Sequence, residues 1–259
     1  ATAAGRGPGR NTTVAKDLND CLGYFGLPEF RSEWGAIRRG IEKESLRIQP
    51  DGRLALTPHP PALGSPLTHP HITTDFSESQ LELITSPHRN VEEMLEELTH
   101  IHQAVYAAIG EEILWGASMP CALPADEMIP LGRYGSSNVG RAKTVYRRGL
   151  GFRYGRRMQT ISGIHYNWSL PGRSSEEYFA LVRNFRRSAW LLFYLFGASP
   201  AVCETFVRGE ARHGLQPLGP GTLHRPYATS LRMGRLGYQS DAQSQLAVSY
   251  NRLAEYAGS

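Results

Sequence analysis

Glu42 and Glu44 are the first residues of this 259-residue chain whose types and spacing could do chemistry. They lie in Gly40-Ile-Glu-Lys-Glu-Ser-Leu-Arg-Ile48, which is closed by the hairpin-type turn signal Asp51-Gly52. Read as a strand, the period of two puts both carboxylates on one face and Lys43 on the other. Adjacent carboxylates repel, and a divalent cation reconciles them; hard oxygen donors suit magnesium. A solvated edge strand with ordinary surface acids is the competing reading. A second acid-bearing strand runs from Gln80 to Thr85 and ends before Pro87, with Glu82 pointing away from Leu81 and Leu83. A carboxylate on an otherwise buried element is costly unless paired or metal-bound. A helix with Glu78 and Glu82 at i, i+4 competes here, but the Leu-Ile-Thr run and Pro87 favour the strand. The third element is Gln159–Pro171, where alternation places His165, Asn167 and Ser169 on one face and Ile164, Tyr166, Trp168 and Leu170 on the other. A lone strand histidine is ordinarily structural. With an asparagine two residues on and acids on other strands, His165 becomes a candidate ligand.

The remaining elements must position these groups. Residues 1–12 form a small, Gly-rich basic tail expected to be disordered. Residues 14–37 read as helix in pieces, broken near Gly26 and Pro28, with Val14, Leu18, Cys21 and Leu22 as the expected buried face. The stretch 55–71 is too proline-rich for regular structure, so His59, His69 and His71 read as loop residues. Asn90 caps a helix to about Ile109 whose stripe is Val91, Met94, Leu98, Ile101, Val105 and Ala108. His100 and His102 do not share a face of it and read as structural. Residues 114–132 are irregular. A Gly/Ser turn then leads into a basic helix around Thr144–Leu150; the turn fails as a phosphate loop because Arg141, not a Lys-Ser/Thr pair, follows Gly140. Ser174 and Glu177 form a capping box opening a helix to about Phe196. Residues 208–226 read as a Gly/Pro loop, and a last helix, capped by Ser240, carries Leu246, Tyr250, Leu253 and Ala257.

Composition excludes little but is consistent with a globular protein: 41% apolar, 20% charged, net charge +4. Lysine occurs only at 16, 43 and 143, so 25 of the 28 basic residues are arginine. Arginine suits carboxylate and phosphate ligands, although a genome composition bias gives the same excess. Cys21, Cys121 and Cys203 have no metal or redox spacing, which points to a reducing, cytoplasmic setting. The longest apolar run, Ala189–Ala198, is too short to span a bilayer. The arginines are scattered and not clustered with stacking aromatics, which argues against nucleic acid.

The segments GIEKESLRI, LTHPHITTDFSESQLELIT, YGSSNVGRAKTVYRRGL, RYGRRMQTISGIHYNWSLP, YLFGASPAVC and PYATSLRMGRLGY resemble, in order over about residues 35–257, the proteobacterial glutamate–cysteine ligase family. The resemblance implies an α+β fold of glutamine-synthetase type, an antiparallel sheet curved into a funnel with helices outside. It implies ligation of the glutamate γ-carboxylate to the cysteine amine through a γ-glutamyl phosphate, with ATP as co-substrate and Mg2+ as cofactor, the first step of glutathione synthesis. Glu42, Glu44, Asp75, Glu82 and His165 would form the magnesium floor, with Glu42, Glu44 and His165 acting catalytically through the metal. Tyr146, Gln159, Asn167, Arg232 and Tyr238 would face the amino acids, with Arg147 and Ile161 nearby. Family members are considerably longer. Their later half supplies another acidic strand with a metal ligand, an arginine near the transferred phosphate, and much of the nucleotide site. Residues 13–259 therefore read as the N-terminal part of a single catalytic domain, with an incomplete sheet, weak or no turnover alone, and a tendency to self-associate. The alternatives are a related glutamate–amine ligase with another acceptor, a non-catalytic binding remnant, and a metal-dependent hydrolase. The last lacks an obvious base for a nucleophilic water.

Overall fold

The computed structural model describes residues 18–197, 199–210, 212–234, 236 and 247–258. In chain order the elements are α1 (Leu18–Phe25), α2 (Pro28–Trp34), β1 (Arg38–Ile48), β2 (Ile72–Thr74), β3 (Gln80–Ile84), α3 (Val91–Ala108) and β4 (Ile113–Leu114). They continue with α4 (Asn138–Tyr154), β5 (Ile164–Ser169), α5 (Ser175–Phe196), β6 (Ala201–Cys203), β7 (Gln216–Gly219), β8 (Thr222–His224) and α6 (Leu253–Ala257).

β1 is the strand on which the main sheet is organised. It pairs antiparallel with β3, β4 and β5, and β2 extends the sheet beyond β3. Its register sets Glu44 opposite Glu82 and Glu42 opposite His165. Directly opposed residues share a face, so one surface of the sheet carries Glu42, Glu44, Glu82, His165 and Asn167. The other surface carries Leu81 and Leu83, which pack with Ile72, Leu63 and Leu114 against Ile101, Val105 and Ile109 at the end of α3. α3 begins where Asn90 accepts the Glu92 N–H, satisfying an otherwise orphaned helix donor. A second core lies beneath the acid-bearing side, where Leu46 and Ile48 of β1 meet Met119, Leu123, Ile129, Ile161, Val202, Phe206 and Leu231.

The proline-rich stretch is irregular apart from a 3-10 turn at Pro61–Leu63, and it is anchored by a buried cation. Arg47, 1% exposed, donates to Glu112 at 2.6 Å, to the Thr57 hydroxyl, and to the carbonyls of Thr57, Pro58 and Glu78. One guanidinium thus ties a loop without regular structure to the central strand.

Several expectations are corrected. The basic helix starts at Asn138, six residues before the expected Thr144, because Ser137 caps it by accepting the Gly140 N–H. Gly140 is required there: a Cβ would lie 2.3 Å from the Tyr134 carbonyl oxygen. The strand expected over 159–171 is confined to 164–169, since Arg157–Thr160 is a 3-10 turn. The loop expected over 208–226 contains the hairpin β7–β8, which pairs with β6 into a second, three-stranded sheet. Leu22, expected inside, is 59% exposed. α6 spans only Leu253–Ala257 of the expected last helix; its proposed start at Ser240, like the N-terminal tail, lies outside the described residues.

Candidate active site

The sheet register places the acids; burial and neighbours set their charge. Glu42 accepts from His165 Nδ1 at 3.0 Å and from Asn167 Nδ2 at 2.9 Å. Burial opposes ionisation of Glu42, but these two bonds outweigh it and hold its carboxyl below the usual range. Glu44 is pushed up to about 7, chiefly by burial and then by Asp75, against the pull of the Gly163 N–H, Arg232 and His165. Its Oε2 accepts from Gly163 N at 2.8 Å and from Gln80 Nε2 at 3.2 Å. Glu82 is likewise pushed up to about 7, by burial and by Asp75, Glu44 and Glu42. Asp75 is raised by burial, which Arg147, His165 and Arg232 only partly offset.

Four carboxyls that disfavour one another's charge are thus held together by the fold. Oxygen or nitrogen atoms of Glu42, Glu82 and His165 lie within 4.8 Å of one another, close enough to share one ion. The donor set fits a hard divalent cation, whose charge would relieve the mutual repulsion that raises Glu44 and Glu82. Glu44 and Asp75 border the adjoining cavity of about 300 Å³ with Phe76, Tyr146, Arg147, Leu150, Gln159, His165 and Arg232.

Most of the expected site residues therefore converge, though not all in the expected manner. Tyr146 and Arg147 reach the cavity from α4, Gln159 from the 3-10 turn, and Arg232 from a later 3-10 turn at Leu231–Met233. Asn167 is directed at Glu42. Ile161 is wholly buried in the core beneath, and it is its carbonyl that meets Gln80 Nε2 at 3.2 Å. Tyr238 lies outside the described residues.

Three supporting residues escaped the sequence reading. Gln80, fully buried, holds Glu44; its place two residues before Glu82 on the same strand was the available signal. Gly163 lies so close beneath Arg232 that a Cβ would sit 2.7 Å from its Nη1, and nothing in the sequence marks it. Tyr134 donates to the carbonyls of Thr74 and Asp75, while its ring lies 4.5 Å from the Arg147 guanidinium. A larger cleft of about 500 Å³, bordered by Arg153, Arg157 and Arg208, lies elsewhere; its Asp126 is committed to the N–H groups of Arg156 and Arg157.

The glutamate–cysteine ligase family model matches residues 27–259. The chain belongs to the glutamate–cysteine ligase family. It is 56% identical over 238 residues to the glutamate–cysteine ligase of Alcanivorax borkumensis, covering 85% of this chain and 45% of that protein. Against the Pseudomonas fluorescens enzyme it is 53% identical over 268 aligned positions, covering 96% and 50%. The crystal structure of glutamate–cysteine ligase from Francisella tularensis in complex with AMP matches with a TM-score of 0.80 at 42% identity, over 86% of this chain and 47% of that one. A bifunctional glutathione synthetase from Pasteurella multocida matches with a TM-score of 0.72 at 33% identity, over 88% and 30%. The chain spans about half the length of the curated relatives it matches. Fold and family thus agree with the α+β, antiparallel arrangement expected of this ligase family.

Proposed function

We propose that this chain carries the acid floor and amino-acid pocket of an ATP-dependent ligase that joins the glutamate γ-carboxylate to the cysteine amine. One observation carries the reading: four carboxyls from β1, β3 and the turn after β2 gather beside a histidine and a cavity bordered by arginines. The family relatives and the neighbour solved with AMP support ATP as the second substrate.

In this reaction a γ-carboxylate oxygen of glutamate attacks the terminal phosphorus of ATP and displaces ADP. The cysteine amine then attacks the acyl carbon and displaces phosphate. Magnesium, when bound, supplies positive charge beside the phosphate oxygens; Glu42, Glu82 and His165 would hold it, with Glu44 and Asp75 adjoining. The chain's own residues do the positioning. His165 and Asn167 fix the orientation of Glu42. Gln80 and the Gly163 N–H fix Glu44. Arg232, at the edge of the cavity, suits a bidentate contact with a substrate carboxylate. Tyr146, 60% exposed, offers an aromatic wall for a small side chain, with Gln159 and Arg147 alongside. Holding both reactants in line supplies much of the rate enhancement in reactions of this kind.

The sparse cysteines support a cytoplasmic setting, and no helix among the described residues is long and apolar enough to cross a membrane. The exposed apolar side chains of β5 and α5 support self-association of the isolated chain, which light scattering tests; a clean monomer contradicts it. Equilibrium binding of labelled glutamate with magnesium and ATP present tests the pocket. Saturable binding, weakened at least tenfold by Arg232→Ala in a folded variant, is expected. Glutamate binding that is absent, or indifferent to Arg232, contradicts the assignment.

A further inference from the structure

Cys121 and Cys203, distant in sequence, meet in the fold. Cys121 follows Pro120 in the irregular stretch after β4, and Cys203 ends β6. Their thiols interact with each other and with the backbone at Ala122. Ala122, between Cys121 and Leu123, adopts φ 47°, a left-handed conformation uncommon for a residue with a Cβ. The Thr205 hydroxyl donates to Cys203 Sγ at 3.2 Å and accepts the Leu123 N–H at 3.2 Å, pinning the two segments around the sulfurs. Both thiols are free and only partly buried, so a small reagent can reach them.

The two sulfurs are made unequal by their surroundings. Burial opposes ionisation of Cys203, but the bonds from Cys121, Thr205 and Ala122 outweigh it and hold its thiol below the ordinary range. Burial, followed by the neighbouring Cys203, pushes Cys121 up to about 11. A thiol that accepts the Thr205 hydroxyl, which favours its ionised form, beside a thiol whose ionisation is opposed suits thiol–disulfide exchange.

We propose that Cys121 and Cys203 form a reversible exchange site for small-molecule disulfides, with Cys203 as the attacking sulfur and Cys121 as the resolving one. Cys203 forms a bond to one sulfur of the small disulfide; the disulfide's S–S bond breaks, and one half leaves as a thiolate that takes up a proton. Cys121 then loses its proton to solvent and attacks the Cys203 sulfur of the mixed disulfide, expelling the second half. Two protein thiols are oxidised and one small disulfide is reduced to two thiols. The bridge would staple the segments flanking the candidate active site. Ser118, three residues before Cys121, exchanges hydrogen bonds with Ser162, the neighbour of Gly163. The Ser199 carbonyl, just before β6, accepts the N–H of Leu231 beside Arg232.

The test uses the full chain and cystine as the probe, read by intact mass and peptide mapping. Loss of two hydrogens, a cross-linked Cys121–Cys203 peptide and its reversal by dithiothreitol are expected. Cys121→Ser should stop at a mixed disulfide on Cys203. Cys203→Ser should be modified at Cys121 at least tenfold more slowly. The wild-type map requires no variant to fold: cystine that modifies Cys21 while leaving Cys121 and Cys203 unbridged overturns the proposal. Equal rates at the two sulfurs in folded single variants overturn the assigned roles.

Discussion

β3 and β5 both pair with β1 and both turn polar side chains to the same face, yet they are supported in opposite ways. Behind Glu82 of β3, Leu81 and Leu83 are fully buried against the end of α3. Behind His165 and Asn167 of β5, Ile164 is 65% exposed and Tyr166 56% exposed. The neighbouring α5 continues this bareness: Trp190, Tyr194 and Phe196 are all exposed, and none of its described residues is buried. The acid wall of the site is preorganised by a core, whereas the imidazole wall is held by its ladder with β1 and by the bonds to Glu42. Difference in support, with similarity in presentation, makes the two walls separable by mutation.

The largest expected effect lies on the β3 side. Arg47→Ala strands Glu112 and frees the proline-rich segment, and urea unfolding should show a loss of about 3–5 kcal/mol. A loss under about 1 kcal/mol would mean that Arg47 does not anchor that segment. Leu83→Ala should cost about 2–5 kcal/mol, as for other fully buried leucines.

A smaller effect is expected from His59, which is buried with its Nε2 unpartnered among the described residues. Burial, with Arg47 nearby, lowers its pKa to about 4 from 6.5. The unfolded chain therefore takes up the proton first as pH falls. Stability is fully present above about 6.5 and is lost as pH drops toward about 4, by on the order of 2–3 kcal/mol. His59→Gln should flatten that part of the stability–pH curve; an unchanged slope contradicts the assignment. The smallest effect is expected on β5, where Ile164→Thr should change stability by less than about 0.5 kcal/mol. A cost approaching that of Leu83→Ala would erase the contrast between the walls.

How much of this was legible in the sequence follows the range of the interactions. Alternation was enough to put Glu42 with Glu44, Glu82 away from Leu81 and Leu83, and His165 with Asn167, because strand faces are a local property. Asn90 and the Ser174–Glu177 box marked helix starts for the same reason. The start of α4 was hidden because Ser-Asn-Val-Gly has the chemistry of a turn, and Gly140 is explained only by its approach to Tyr134. Pro217 and Gly219 masked β7, whose pairing with β8 tolerates them through a register shift. Gln80 and Gly163 as supports of Glu44, and the meeting of Cys121 with Cys203, depend on tertiary contacts that no spacing rule reports. Family resemblance, not periodicity, pointed to Asp75, Tyr146 and Arg232, which the fold brings to one cavity.

Both walls meet at the proposed cation, so its binding tests the account most directly. Calorimetric titration with Mg2+, or with Mn2+ followed by electron paramagnetic resonance, should show saturable binding to the wild-type chain. Glu82→Gln on one wall and His165→Ala on the other should each weaken it at least tenfold while the circular-dichroism spectrum is retained. Binding of equal strength in the wild type and both folded variants would contradict a shared site.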